Sequence, residues 1–336
     1  MLPLSDTGVP PNRQFKDMKA GLIIFGLMTM LVGGVCALFV PLMWFGAKVP
    51  QPGGGSQDLR MLAPALVMYS VLAVVLVTLG IGSMMARRWA RGLLLIFSWT
   101  WLVIGSMGMI FMLFMGSQFT RNMNEAMAQN GSQPPPPAAT SVILVFTAIF
   151  CGVIFIILPA AWIFFYQNRN VKVTCEARDP VVRWTDRCPL PVLAVCLWFG
   201  FAAPASIAWL IFLPAAVPFF GAILVGPMAV AVYLAFTALW IYGAWAFYKL
   251  DRRGWWVILA CMCAFAVSGF VTYSRHDVSE LYVLMGYSKE RIALMQKMSL
   301  FQGQAMAWLS IGGVIPMLGY MIYLRRFFWR TTSPAA

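Results

Sequence analysis

Two short stretches hold the residue types that do chemistry. The first, residues 173–191, carries Cys175 and Cys188 with Glu176, Asp179 and Asp186, among Arg178, Arg183 and Arg187. A thiol beside arginine is a candidate redox centre, because a nearby cation favours the thiolate. Paired carboxylates are candidate acid–base groups. Two cysteines without a histidine leave a structural zinc site incomplete, since zinc asks for four ligands. Charges of alternating sign this close together also pair with one another. With Trp184 and the prolines Pro180, Pro189 and Pro191, they favour a rigid connector at a membrane surface. The second stretch holds the only histidine, His276, next to Asp277 and near Glu280. That spacing is generic for a metal, and a solvated polar loop is the expectation.

Other chemistry is sparse. Cys36, Cys151, Cys196, Cys261 and Cys263 fall in apolar stretches, where a thiol behaves as a small hydrophobe. No nucleophile elbow, phosphate-cradling glycine loop or zinc-binding helix motif is present. The expected sites are therefore no catalytic residue, no metal ligand and no cofactor.

The elements around these residues set a different scene. Of 336 residues, 61 % are hydrophobic and 10 % charged, against about 25 % charged in an ordinary soluble domain. Such a chain cannot cover a soluble surface with polar groups, which excludes a water-soluble enzyme and a disordered chain. The net charge of +13 does not point to nucleic acid, because its 24 Lys and Arg are scattered between apolar stretches.

A helix crosses a bilayer with about 20 apolar residues. Eight stretches qualify: 20–45, 61–85, 92–116, 141–166, 190–213, 217–248, 255–273 and 301–324. The fold class is an all-α polytopic membrane protein. Its parts are a tail 1–19, a four-helix half 20–166, a connector 167–189, a second half 190–324 and a tail 325–336. Residues 1–19 hold three prolines and no apolar run, so the first span reads as a retained helix. The tails and the second, fourth and sixth loops carry 17 Lys and Arg, and the other side carries 7. That bias puts both termini in the cytoplasm of a bacterial inner membrane.

The outer loops carry Pro50–Ser56, a flexible composition, and a proline run at 134–137 that acts as a stiff spacer. In the seventh loop, Asp277 or Ser279 caps a short helix stopped by Gly286. Ser288 caps a second helix with Ile292, Met295 and Met298 on one face.

The halves share an order: span, span, basic turn, span, outer loop, proline-containing span, basic exit. A shift of 162 lays Arg87 on Lys249 and Arg91 on Arg253, and a shift of 157 lays Pro159 on Pro316. This is the pattern of a parallel repeat about the membrane normal. Six basic residues at the matching turns, Arg87, Arg88, Arg91, Lys249, Arg252 and Arg253, are the candidate contacts for anionic lipid head groups. Small residues at four-residue spacing, Gly33/Ala37, Ala202/Ser206, Ala222/Gly226 and Ala231/Ala235, mark close helix approach.

No span contains an ionisable side chain, which argues against an ion-coupled pump. The expectation is a non-enzymatic accessory or interaction subunit, in contact with the lipid bilayer and with membrane-protein partners. The alternative is an uncoupled transporter or channel for a neutral or amphipathic molecule, with its path between the halves.

Overall fold

Long apolar runs satisfy their backbone N–H and C=O groups internally as helices, and helices dominate this chain. A computed structural model describes residues 16–48, 59–129, 137–212, 214–287, 292 and 303–329. In chain order the helices are α1 (Lys19–Lys48), α2 (Leu59–Met84), α3 (Arg88–Gln129), α4 (Pro137–Gly152), α5 (Leu158–Gln167), α6 (Arg169–Arg178), α7 (Leu190–Phe212), α8 (Gly226–Tyr248), α9 (Arg252–Tyr273), α10 (Val278–Leu284), α11 (Gly303–Gly312) and α12 (Val314–Trp329). Eight helical segments are long and apolar enough to cross a membrane, as expected from hydropathy.

Their bounds differ from the sequence reading in four places. Helix α3 runs on to Gln129, well past the expected 116. The connector 167–189 contains helix α6. The last span continues through Trp329, so 325–329 belong to a helix rather than to a tail. The sixth span does not begin at 217. Residues Ala216–Phe219 and Ala222–Val225 form a two-stranded antiparallel hairpin, β1 and β2, with Ala216 opposite Val225. Pro214 and Pro218 cannot continue a helix. Phe220 and Gly221 take φ of 41° and 93°, as a tight hairpin turn needs at both central positions. The turn is pinned to α9, with the Phe220 N–H donating to Ser268 Oγ and the Gly221 N–H to Thr272 Oγ1, both at 2.9 Å. Ala222 and Gly226 are therefore not a helix-packing pair.

Prolines shape the fourth and eighth spans alike. Pro159 offers no N–H to the carbonyl of Phe155, four residues back. The chain widens into a π-turn at Val153–Ile157. A Cβ on Gly105 of α3 would come within 2.6 Å of the Phe155 carbonyl oxygen, so only glycine admits it. In the eighth span the helix breaks at Gly313, three residues before Pro316.

Packing is tightest where small residues let helices meet. Helices α1 and α2 form an antiparallel pair. A Cβ on Gly26 would lie 2.8 Å from the Gly80 carbonyl, one on Gly80 would lie 2.7 Å from that of Gly26, and Gly33 abuts Leu76. Helices α7 and α8 form a second close pair, where the Ser206 and Thr237 hydroxyls are 2.9 Å apart.

The two basic turns have one geometry. Ala86 and Leu250 take φ of 53° and 56°. The Arg87 N–H reaches back to the Gly82 carbonyl and the Asp251 N–H to that of Ala246, both at 2.9 Å. This is the Schellman stop of a helix. A Cβ on Gly82 would lie 2.7 Å from that of Ala90, and a Cβ on Gly254 would lie 2.3 Å from that of Ala246. Both turns thus close on a glycine–alanine contact, with the two residues exchanged. The turns coincide at a separation of 164 residues, two away from the register suggested by Arg87 and Lys249, so Arg88 corresponds to Arg252.

The buried core lies at the end of these turns. One cluster gathers Leu22, Leu79, Leu94, Trp162, Tyr166 and Val171, and another gathers Leu193, Phe247, Ile258, Leu324 and Phe328. Tyr166 and Ser83 are 2.7 Å apart, and Ser83 donates to the Leu22 carbonyl at 3.1 Å, joining α5, α2 and α1. In the second half Phe328 meets Phe247 edge-on, with centroids 5.1 Å apart. Residues Pro50–Ser56, the prolines 134–136 and the expected second helix of the seventh loop, Ile292 apart, lie outside the described residues.

Candidate functional site

Helix α6 starts at Asn168, whose side chain accepts from the Asn170 N–H at 2.9 Å. Its apolar side, Val171 and Cys175, is buried against the first cluster. Its polar side and the turn that follows carry the charges singled out in the sequence. They gather into one network at the basic-turn end.

Asp179, 2 % exposed, is its centre. Its Oδ1 lies 3.7 Å from Arg87, and its Oδ2 lies 3.5 Å from Arg183 and accepts from the Arg88 N–H at 3.4 Å. The Arg88 side chain reaches Asp186 at 3.5 Å and Glu176 at 3.8 Å, and Lys172 also reaches Glu176 at 3.8 Å. Asp186 accepts from the Arg183 N–H at 3.1 Å. Asp17 pairs with Arg178 at 2.7 Å, and the Met18 N–H donates to Thr174 at 3.1 Å, so the stretch before α1 is held on α6. The Arg178 hydrogen bond holds the Asp17 carboxyl below its ordinary range. Lowered in the folded state, that group favours this contact at neutral pH and releases it only as pH falls through the depressed value.

Every carboxylate in the network faces a cation. The arrangement is that of a clamp between the stretch before α1, the start of α3, α6 and the entry to α7. Cys175 and Cys188 are both free and buried. The Cys175 thiol is pushed up to about 11, mainly by burial, with Arg91 opposing, so the arginine environment does not make it a thiolate at neutral pH. Cys188 lies beside Cys196 of α7 and is not paired with Cys175.

The six candidate lipid contacts divide between the halves. Arg87 and Arg88 are held by carboxylates, and Arg91 is half-buried beside them, its Nε without a hydrogen-bond partner among the described residues. Lys249, Arg252 and Arg253 are exposed. Arg252 donates to the Phe328 carbonyl at 3.2 Å and lies 5.7 Å from the centre of the Trp329 ring. Sequence reasoning missed Arg325, which lies 5.0 Å from the same ring, and Arg326, which stacks on Tyr323. The alternation of Arg325-Arg326 with Phe327-Phe328-Trp329 was the available signal.

At the other end, His276 Nδ1 lies 2.8 Å from Glu280. Asp277 sits at the N-cap position of α10, as expected, but its side chain makes no capping hydrogen bond there. Its carboxylate accepts from the Gly303 N–H at 3.0 Å and so opens α11. These residues, with Arg275, Gln304 and Trp308, line a cavity of about 440 Å³ between the ends of α9, α10 and α11. Among the described residues no three His, Cys, Asp or Glu side chains are grouped to hold a metal.

The class defined by this fold is a helical protein with eight segments apolar enough for a membrane and a charged clamp at one end. No family model, curated protein or solved structure matches the chain.

Proposed function

We propose that the protein is an integral, multi-pass protein of a bacterial inner membrane that serves as a non-enzymatic accessory or interaction subunit. Its two four-helix halves form a parallel repeat. The observation that carries the reading is the seam between the halves. There α3 meets α7 through apolar packing: Ile96 joins the second cluster, and the side chain of Leu190 lies 3.3 Å from where a Cβ on Gly92 would sit. Trp198 donates to Thr100 at 3.2 Å across the same seam. A path for solute needs polar space there. The described cavity sits inside the second half instead. The matched turns, the exchanged glycine–alanine contacts, and the irregular turns ahead of Pro159 (a π-turn) and Pro316 (a break at Gly313) support the repeat.

Extraction from native membrane in mild detergent, followed by affinity purification and native mass spectrometry, tests this. The chain is expected to travel with at least one other membrane protein in a fixed ratio. Isolation as a lone chain that releases a neutral solute from reconstituted vesicles would replace the reading with transport.

Orientation needs a new reporter, since native Cys175 and Cys188 are 1 % and 5 % exposed and unreactive on either side. Val182, 58 % exposed in the connector, is suitable. Val182→Cys is expected to resist a membrane-impermeant maleimide on intact cells and to react after permeabilisation. Labelling on intact cells would reverse the topology.

A further inference from the structure

We infer that the basic end of the second half, Arg252 and Arg325 around Trp329 with the neighbouring exposed Arg253, binds the phosphate of an anionic phospholipid, and that the equivalent end of the first half does not. The two turns place Arg88 and Arg252 at equivalent positions. Arg88 and Arg252 each open a helix two residues after a left-handed turn residue, Ala86 or Leu250. Arg88 reaches two carboxylates, Glu176 and Asp186, supplied by the segment after α5. The second half has no such segment among the described residues, and the sequence has no Asp or Glu after Glu290. Asp251 is the one acidic residue between Asp186 and Asp277, and its carboxylate accepts from the Arg253 N–H at 2.9 Å. Among the described residues no carboxylate lies within ion-pair distance of Arg252, Arg253 or Arg325.

Two guanidinium groups therefore share one indole without an intervening anion. Arg252 Nε is taken by the Phe328 carbonyl, which leaves its terminal N–H groups to a ligand. The planar fork of a guanidinium matches two oxygens of a phosphate. Trp256, 55 % exposed on the first turn of α9, and Trp329 give the amphipathic rings that settle at head-group depth. The carboxylates that satisfy Arg88 within the chain are replaced here by the phosphate of a lipid.

The inference rests on the membrane reading, and the test separates the two. The full chain is placed in nanodiscs holding equal parts of phosphatidylcholine and phosphatidylglycerol, and lipid retained after detergent exchange is measured by native mass spectrometry. Wild type is expected to keep phosphatidylglycerol in preference, and Arg252→Gln/Arg253→Gln/Arg325→Gln to reduce that preference about tenfold. Arg87→Gln/Arg88→Gln is expected to keep it. Trp329→Leu, which leaves every charge in place, is expected to weaken it and guards against misfolding of the triple variant. Equal retention of the two lipids, or equal loss in the Arg87/Arg88 variant, overturns the site. Competition by millimolar inorganic phosphate overturns the lipid source. Failure of the chain to enter nanodiscs overturns the membrane reading itself.

Discussion

Gly254→Ala is expected to destabilise the protein by about 1–3 kcal/mol, the usual range for overpacking a close contact. The new Cβ falls 2.3 Å from that of Ala246, whose side chain is fully buried. Neither atom can retreat, because the Asp251 N–H to Ala246 carbonyl bond fixes the turn between them. Adding Ala246→Gly is expected to restore most of the loss. The double variant reproduces the order already present in the first half, where Gly82 meets Ala90. Glycine costs about 1 kcal/mol relative to alanine within a helix, but the exchange removes one helical glycine as it adds another. Denaturant unfolding in detergent, followed by tryptophan fluorescence, reads both variants. A neutral single variant would deny the contact, and a double variant weaker than the single would deny that the two turns are equivalent.

The clamp supplies the second large effect. Asp179→Ala is expected to lower stability by about 2 kcal/mol. That is below the 3–5 kcal/mol typical of breaking a fully buried ion pair, since Arg87 and Arg183 are 37 % and 39 % exposed and water screens them. The loss arises because two guanidinium groups and the Arg88 N–H all face this one carboxylate. Asp179→Asn keeps an acceptor for that N–H and is expected to cost less. Asp17→Asn removes an exposed pair and is expected to leave unfolding nearly unchanged while freeing residues before α1 to proteolysis. Equal effects of Asp179→Ala and Asp17→Asn on unfolding would show that burial does not set the strength of the network.

These expectations concern charges that look alike in the sequence. Arg87, Arg88 and Arg91 crowd one turn as Lys249, Arg252 and Arg253 crowd the other, and local charge alone makes them one class. Folding separates them, because Glu176, Asp179 and Asp186 lie roughly ninety residues along the chain from Arg88 and are brought to it by α6. The hairpin at 216–225 was hidden for a related reason. Its residues are as apolar as a span, and periodicity does not distinguish a short apolar strand from a helix. Pro214, Pro218 and Gly221 were the local signs.

What the sequence determined by itself was the set of eight apolar segments. It follows from hydropathy summed over some twenty residues, and it needs no partner from elsewhere in the chain. The matched prolines were legible too, because a missing N–H acts on its own helix. Only the tertiary structure decided which cations are neutralised, which glycines admit a neighbouring backbone and where Asp277 spends its carboxylate. Each of those depends on a group distant in sequence arriving within a few ångströms, which the order of residues does not encode locally.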